Sequence, residues 1–426
     1  MHINIITLGC SKNTVDSEVL AAQFHRKGHK VFHNSPAERR FDVVVVNTCA
    51  FIQDAKTQSV DEILFQVERK KQGLVGQLFV TGCLAQRYAD DLRESIPEID
   101  GIFPFADLGE MLGDAHFDLL QQTDRIISTP KHYAYLKVSE GCDRHCSYCA
   151  IPLIRGKQVS KPVESIVREA EQLAAQGVKE IMLIAQDLTS YGTDLYQRRD
   201  LERLLRKLAQ VNGIEWIRLH YAYPVNFPYE ILDVMREYST ICKYLDIPLQ
   251  HINEEILRDM NRGGNAAQIY KLIERIRDKV PGIALRSTLI SGYPTETREQ
   301  HKELLKFVED VRFDRLGFFS YSQEEGTPAY PLGDPIKERE KNRRLEELIA
   351  SQEKIALELN QQKVGSVLKV IIDSEDNRYY IGRTEFDSPD VDDSVLIKKK
   401  EKLKIGEFYP VRIEKADHFD LYGTKV

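Results

Sequence analysis

The sequence predicts a multidomain α/β fold: an amino-terminal open parallel α/β sheet, a central partial (βα)6 barrel and a small carboxyl-terminal antiparallel β barrel. Three observations carry this. Apolar runs alternate with amphipathic stretches from the first residues onward, as strand–helix units do. A second, longer series of such units follows Thr129. The final stretch instead holds short alternating strands separated by turn residues. A chain of 426 residues also exceeds one ordinary domain.

In the first series, INIITLG, DVVVVNT and GQLFVTG read as buried strands. Val15–Lys27, Ala55–Lys71 and Leu84–Ile96 read as the helices between and after them. The pattern weakens from Gly101 to Thr129, and TPKHY reads as a connector. Six strand candidates follow: AYLKVSE, EIMLIAQ, WIRLHYAY, YLDIPLQ, ALRSTLIS and RLGFFSYS. Helical patterns such as Val163–Gln176 and Ala266–Val280 lie between most neighbours, and six units favour the open form of a parallel barrel. PLGDP (331–335) breaks the series, and a charged helix spans Lys337–Gln361. VGSVLKVIIDS, YYIGRTEF, DSVLIKKK and EFYPVRIEKAD then read as the strands of the last domain. The expected boundaries are 1–117, 128–358 and 361–426.

Composition narrows the function classes. The chain is 42% hydrophobic and 29% charged, without a run of eighteen apolar residues, so no membrane-spanning segment is expected. MHINIITLGC starts as a strand rather than a signal peptide, which predicts a reducing cytoplasm. A net charge of -7 disfavours a general nucleic-acid binder. Monomer is the default state.

Seven cysteines in such a compartment point to metal or catalysis rather than to disulfides. Cys142, Cys146 and Cys149 have C-x-x-x-C-x-x-C spacing in the loop after the first strand of the second series. A structural zinc site wants four ligands, and no second pair is present; His145 is poorly placed to share a metal beside Cys146. Three thiolates suit three corners of a 4Fe–4S cube and leave one iron open to a small molecule. Zinc and unliganded core cysteines are the competing readings. Cys10, Cys49 and Cys83 each directly follow an apolar strand of the first series. If those strands are parallel in one sheet, the three gather at its carboxyl edge, where open α/β sheets bind ligands. The alternative is three small buried hydrophobes.

CDRHCSYC resembles the signature of the radical S-adenosylmethionine (SAM) superfamily, with aromatic Tyr148 before the last cysteine. The resemblance implies a 4Fe–4S cluster on Cys142, Cys146 and Cys149, with SAM chelated at the open iron and Tyr148 against its adenine. Gln186 and Asp187 follow the second strand, and Ser291, Gly292 and Glu296 the fifth. Gly-rich turns with hydroxyls suit a ribose or carboxylate, although each is also compatible with an ordinary strand–helix turn. The resemblance favours Gln186 and Gly292 as cofactor contacts, and Ser291 is taken with them as a hydroxyl of the same turn. His251 also ends a strand; it either lines the site or is a satisfied structural histidine, and the structural reading is preferred.

TLGCSKNTVDSE, NTCAFIQDAKTQSVDEI and GCLAQRY resemble the amino-terminal domain of the methylthiotransferases, a radical-SAM subgroup, and the likeness extends over a radical-SAM core and a TRAM-type β domain. It implies an auxiliary 4Fe–4S cluster on Cys10, Cys49 and Cys83 that carries an exchangeable sulfide. Cys242 matches no motif and is read as structural. GCSKNTVDSE and IPLQHINEEILRDMNR resemble the protein-modifying branch of that family; the tRNA-modifying branch has glutamine, methionine and asparagine after the first cysteine. The implied reaction is methylthiolation of the β-carbon (C3) of an aspartate in small-subunit ribosomal protein S-twelve, free or in the subunit. One SAM gives the methyl group, a second is the radical source, and an external donor supplies electrons. A tRNA adenosine methylthiotransferase is the alternative, and a non-catalytic iron–sulfur carrier a more distant one.

Charge in the last domain bears on that choice. From Gln361 onward there are twelve Lys and Arg against thirteen Asp and Glu. An RNA-binding domain should be basic, so tRNA is disfavoured as a partner. The run EFDSPDVDD, with Glu385, Asp387, Asp390, Asp392 and Asp393, is expected to face solvent and attract a basic ribosomal protein. Lys398–Lys404 opposes this: alone it could contact RNA, but it is expected to mark an exposed edge strand.

Overall fold

The computed structural model describes residues 1–36 and 38–426. Its first sheet is built of β1 (His2–Thr7), β2 (Lys30–His33), β3 (Phe41–Thr48), β4 (Val75–Gly82) and β5 (Gly101–Phe103). All are parallel, in the order β2-β1-β3-β4-β5. Helices α1 (Ser11–Arg26), α2 (Gln53–Lys71), α3 (Cys83–Ser95) and α4 (Leu108–Leu112) belong to this unit. In β3 every residue but Asp42 is buried, as a central strand covered on both faces requires. Strands β2 and β5 have no counterpart in the sequence reading. Both are short edge strands with no fully buried residue, so they lack an apolar run.

The second unit contains β6 (Tyr133–Lys137), a small antiparallel pair β7 (Ser139–Glu140) and β8 (Val159–Ser160), then β9 (Glu180–Ile184), β10 (Trp216–Leu219), β11 (Ile241–Asp246), β12 (Ala284–Ser291) and β13 (Arg315–Ser320). Six of these strands form a parallel sheet ordered β13-β12-β11-β10-β9-β6, the predicted open barrel. Helices α5 (Ile151–Arg155), α6 (Val163–Ala175), α7 (Leu201–Leu208), α8 (Glu230–Glu237), α9 (Glu254–Asp259), α10 (Ala266–Lys279), α11 (Arg298–Val311) and α12 (Glu338–Gln361) complete it. Helix α7 shows the logic: Leu201, Leu204, Leu205 and Leu208 make one stripe and all are buried, each worth about 2 kcal/mol. Capping boxes at Asn265–Gln268 and Thr297–Gln300 start α10 and α11.

A closed five-stranded barrel ends the chain: β14 (Val367–Glu375), β15 (Tyr379–Thr384), β16 (Val395–Lys398), β17 (Phe408–Ala416) and β18 (Leu421–Lys425). It is antiparallel except for the parallel pair β16–β18. Closure removes the expected edge: after Lys398 the lysine-rich run leaves the sheet as a loop that is exposed apart from Leu403.

The acidic run corrects the sequence reading more sharply. Its carboxylates turn inward onto the sheet face opposite the helices. Asp387 pairs with Arg315 at 2.5 Å, and Asp393 lies 3.2 Å from the same guanidinium. Asp392 accepts from Tyr244 at 2.7 Å and lies 3.4 Å from Arg286. The Glu385 carboxylate accepts from Lys243 N, and its carbonyl from Arg218. Only Asp390 is exposed. Arg383 pairs with the fully buried Glu180, which also holds Arg218. Charges buried in the open barrel need partners, and this run supplies them, so it plugs the barrel instead of offering a face to a basic protein.

Candidate metal centres

Cys10, Cys49 and Cys83 follow β1, β3 and β4, three adjacent strands whose carboxyl ends form one edge. Cys10 caps α1, and Cys83 opens α3. Two glycines make the approach possible. A Cβ on Gly9, at φ +86, would stand 2.7 Å from the Cys49 sulfur. One on Gly82, at φ +90, would stand 2.4 Å from Thr48 O. Asn13 ties the loops together by donating to Leu8 O and Thr48 O at 2.8 and 2.9 Å. Ser59 clamps Cys49 from α2, accepting from its N–H at 3.0 Å and donating to its carbonyl at 2.8 Å. Burial pushes the Cys49 thiol up to about 12, with Cys83 adding to it.

Cys142, Cys146 and Cys149 lie in the loop between β7 and α5. Gly141, at φ +75, allows the loop to pass Lys157 O, which a Cβ would meet at 2.1 Å. Cys149 N donates to Cys146 O at 3.0 Å, and Cys142 N to Gly156 O at 3.1 Å. Ser147 anchors the loop to the barrel: its N–H bonds Met260 O at 2.9 Å, its Oγ bonds Asp259 O at 2.5 Å, and it lies 3.1 Å from Tyr293 OH. Tyr148 packs against the apolar group of Ile256, Met260, Tyr293, Tyr321 and Ala329. Arg262 points Nη1 at the Cys146 sulfur, 3.5 Å away. Burial raises Cys142 to about 11 and Cys149 to about 12. His145 is exposed.

A buried charged network joins the two triads. Arg155 donates to Asp16 at 2.7 Å, to Glu140 at 3.0 Å and to Asn13 Oδ1 at 2.6 Å, with its Nη2 3.7 Å from the Cys83 sulfur. Lys137 bonds both Asp16 and Glu140, and Gln186 Nε2 donates to Glu140. Asp16, Lys137, Glu140 and Arg155 were missed in the sequence, because their partners lie in distant segments. Asp16 nevertheless sits inside the quoted motif GCSKNTVDSE, and Lys137 and Glu140 inside the strand AYLKVSE.

The remaining cofactor-side predictions lie at the carboxyl ends of strands of the one parallel sheet. Gln186 follows β9, and Ser291 and Gly292 close β12. The Gly292 N–H is taken by Glu296 at 2.6 Å, and a Cβ there would stand 2.8 Å from Lys341 Cγ. Ser291 is fully buried. Asp187 caps a 3-10 turn and pairs with Arg144 at 2.8 Å. His251 is fully buried, accepts from Asn253 N through Nδ1, and is held near 4 by burial despite Glu296 at 4.0 Å; it stays neutral. Cys242 is fully buried beneath the third unit, beside Trp216 and Tyr244. Gln250, which the sequence reading passed over in IPLQH, has φ +73.

This arrangement fits a 4Fe–4S cluster with SAM. Ser291 Oγ, Gln186 Oε1 and Gln250 Oε1 are buried without a protein partner, which suits a polar ligand along these strand ends. Among the described residues no three His, Cys, Asp or Glu converge as a mononuclear ion requires. A cube makes no such demand, since each thiolate binds a different iron.

Residues 136–308 match the model of the radical SAM superfamily, 2–104 that of uncharacterized protein family UPF0004, and 364–426 that of the TRAM domain. Proteins named ribosomal protein uS12 methylthiotransferase RimO match over the full length. The one from Flavobacterium johnsoniae is 51% identical over 99% of this chain and 97% of its own. That from Phocaeicola vulgatus is 51% identical over 99% and 98%. The chain belongs to the RimO methylthiotransferases. As a RimO family member it is a radical SAM enzyme, and the family implies a 4Fe–4S cluster and SAM. Membership removes the carrier alternative. The fold agrees: the radical SAM methyltransferase TsrM from Kitasatospora setae, with cobalamin and a [4Fe-4S] cluster, superposes with TM-score 0.56 at 16% identity over 77% of each chain. Among the described residues no helix is long and apolar enough to cross a membrane.

Proposed function

We propose that the chain methylthiolates C3 of an aspartate in ribosomal protein uS12, in the cytoplasm and as a monomer. One SAM serves as methyl donor and a second as radical source, with electrons from an external donor. Cys142, Cys146 and Cys149 would hold the SAM-binding cluster, and Cys10, Cys49 and Cys83 an auxiliary cluster bearing sulfide. Tyr148, Gln186, Ser291 and Gly292 would line the SAM side. When bound, the clusters and SAM supply hydrogen abstraction from an unactivated carbon and transfer of a methylthio group.

The observation that carries this reading is Arg155, which reaches from the second cysteine loop to the first triad. If each triad holds a cluster, Arg155 ties the two centres to each other, which supports the reading of one shared reaction space. The residues supply what such a space needs. Asp16, Lys137, Glu140 and Arg155 fix α1 against the end of β6 through charges that burial makes directional. Arg87 and Lys56 bind Glu324 at 3.1 and 3.0 Å, closing the two units on a second side. The acidic plug fills the opposite end of the barrel and keeps water from entering there.

The test is reconstitution with iron and sulfide, then SAM and a strong reductant, with tRNA and small ribosomal subunits offered in parallel. A methylthio increment on an aspartate of uS12, read by mass spectrometry, is expected. The exposed lysine loop at 398–404 favours tRNA as the second reading. An increment on tRNA adenosine alone would establish that one instead.

A further inference from the structure

The cations between the two triads are almost all spoken for. Lys137 and Arg155 share Asp16 and Glu140, and Arg144 holds Asp187. Arg262 bonds Pro248 O and faces Cys146. Lys12 is different. It lies two residues after Cys10, in the first turn of α1, and is 8% exposed. Among the described residues it has no carboxylate within 4 Å and no hydrogen-bond acceptor. Its ammonium sits instead 3.2 Å above the centre of the Tyr221 ring.

Tyr221 is the second residue after β10 at the carboxyl end of the barrel, where the second cysteine loop also lies. Its backbone has φ +62, a conformation that costs a non-glycine residue energy. Leu188 N bonds its carbonyl at 3.1 Å and Asp246 accepts its N–H at 3.1 Å, which hold it there. The neighbour His220 adds no second cation: burial, with Arg218, Arg286 and Lys12 itself, keeps it neutral. A buried ammonium with only an aromatic face for company has lost water without gaining an anion.

We propose that Lys12 is the receptor for the carboxylate of the substrate aspartate, and so a specificity residue that selects an acidic side chain. This rests on the aspartate reading above. Lys12 is two residues from Cys10, and its ammonium lies over Tyr221 at the carboxyl end of the barrel, so a carboxylate bound to it would sit where the first unit meets the barrel strands. A neutral nucleobase would leave the ammonium unpaired, which disfavours it.

The test pairs a change in the protein with a change in the ligand. Full-length holoenzyme, as wild type, Lys12→Met and Lys12→Arg, is titrated with uS12 and with uS12 carrying asparagine at the modified aspartate. Affinity is read by fluorescence anisotropy, and product by mass spectrometry. Wild type should prefer the aspartate form by roughly tenfold or more. Lys12→Met should bind both forms alike, and Lys12→Arg should keep part of the preference. Each preference is a ratio within one protein, so partial misfolding does not imitate its loss. A preference retained in Lys12→Met, or none in wild type, would overturn the inference. Wild type that modifies tRNA but not uS12 would instead overturn the aspartate reading.

Discussion

The Arg155 guanidinium lies 3.7 Å from the Cys83 sulfur, although the two residues are 72 positions apart and serve different sheets. The same side chain ion-pairs with Asp16 and Glu140 in a site only 3% exposed. Replacing it by methionine leaves two buried carboxylates with Lys137 alone. Urea unfolding of the iron-free Arg155→Met protein should show a loss of about 3 kcal/mol. Arg155→Lys should recover only part, since one ammonium cannot reproduce the forked contact to Asp16 and Asn13.

The two triads should titrate as separate iron sites. Burial holds Cys49 and Cys149 near 12 and Cys142 near 11, so uptake of iron must release protons and should quicken as pH rises. Alanine at Cys83 or at Cys149 should each reduce iron from about eight to about four per chain. Cys242→Ala should leave iron unchanged. In the iron-free chain, iodoacetamide should label Cys10 first, because it alone of the seven is exposed. Equal iron content in Cys83→Ala and wild type would remove the auxiliary site.

Gly82→Ala offers a backbone test of the same triad. Its Cβ would stand 2.4 Å from both Thr48 O and Asn47 Oδ1, and its φ is +90. Strain of this kind should displace Cys83 from the strand edge. The expected result is lower melting temperature together with loss of about half of the bound iron.

Much of this was legible because periodicity fixes phase. Three apolar runs each ending in cysteine imply one sheet edge, and β1, β3 and β4 are adjacent. The helices are found within a few residues of their patterns; α10 is Ala266–Lys279 where the pattern ran to Val280. What escaped is long-range electrostatics. Composition counts Asp387 and Arg315 as two charges, and nothing local shows that they neutralise each other across 72 residues. The acidic run therefore looked like a surface. Strand β18, LYGTK, escaped for a different reason: only two of its five residues are buried.

That plug makes a stability prediction. Arg315 is 5% exposed and faces Asp387 and Asp393. Arg315→Met should cost about 3–5 kcal/mol by leaving Asp387 buried without its cation. Hydrogen exchange should rise in β14 and β15 before it rises in β6, because the closed barrel would loosen from the sheet while each keeps its own ladder.

Asp393 should give the plug a distinctive pH dependence. Burial pushes its carboxyl up to about 7; Arg315 opposes this, and Asp387 adds to it. A carboxyl raised on folding binds its proton more tightly in the native state than in the unfolded one. Its contribution to stability is therefore full below the ordinary aspartate range. It falls as pH climbs toward about 7 and is flat above that. Asp393→Asn keeps the shape and removes the titration. At pH about 8 the variant should be more stable than wild type by ~2 kcal/mol, less than the full shift implies because the Arg315 contact is weakened. At pH about 4 the two should be alike or the variant slightly weaker. Chemical unfolding across this range measures the difference. A wild-type slope that matches Asp393→Asn from pH 4 to pH 8 would show that Asp393 ionises freely, and that Arg315 serves both carboxylates at once.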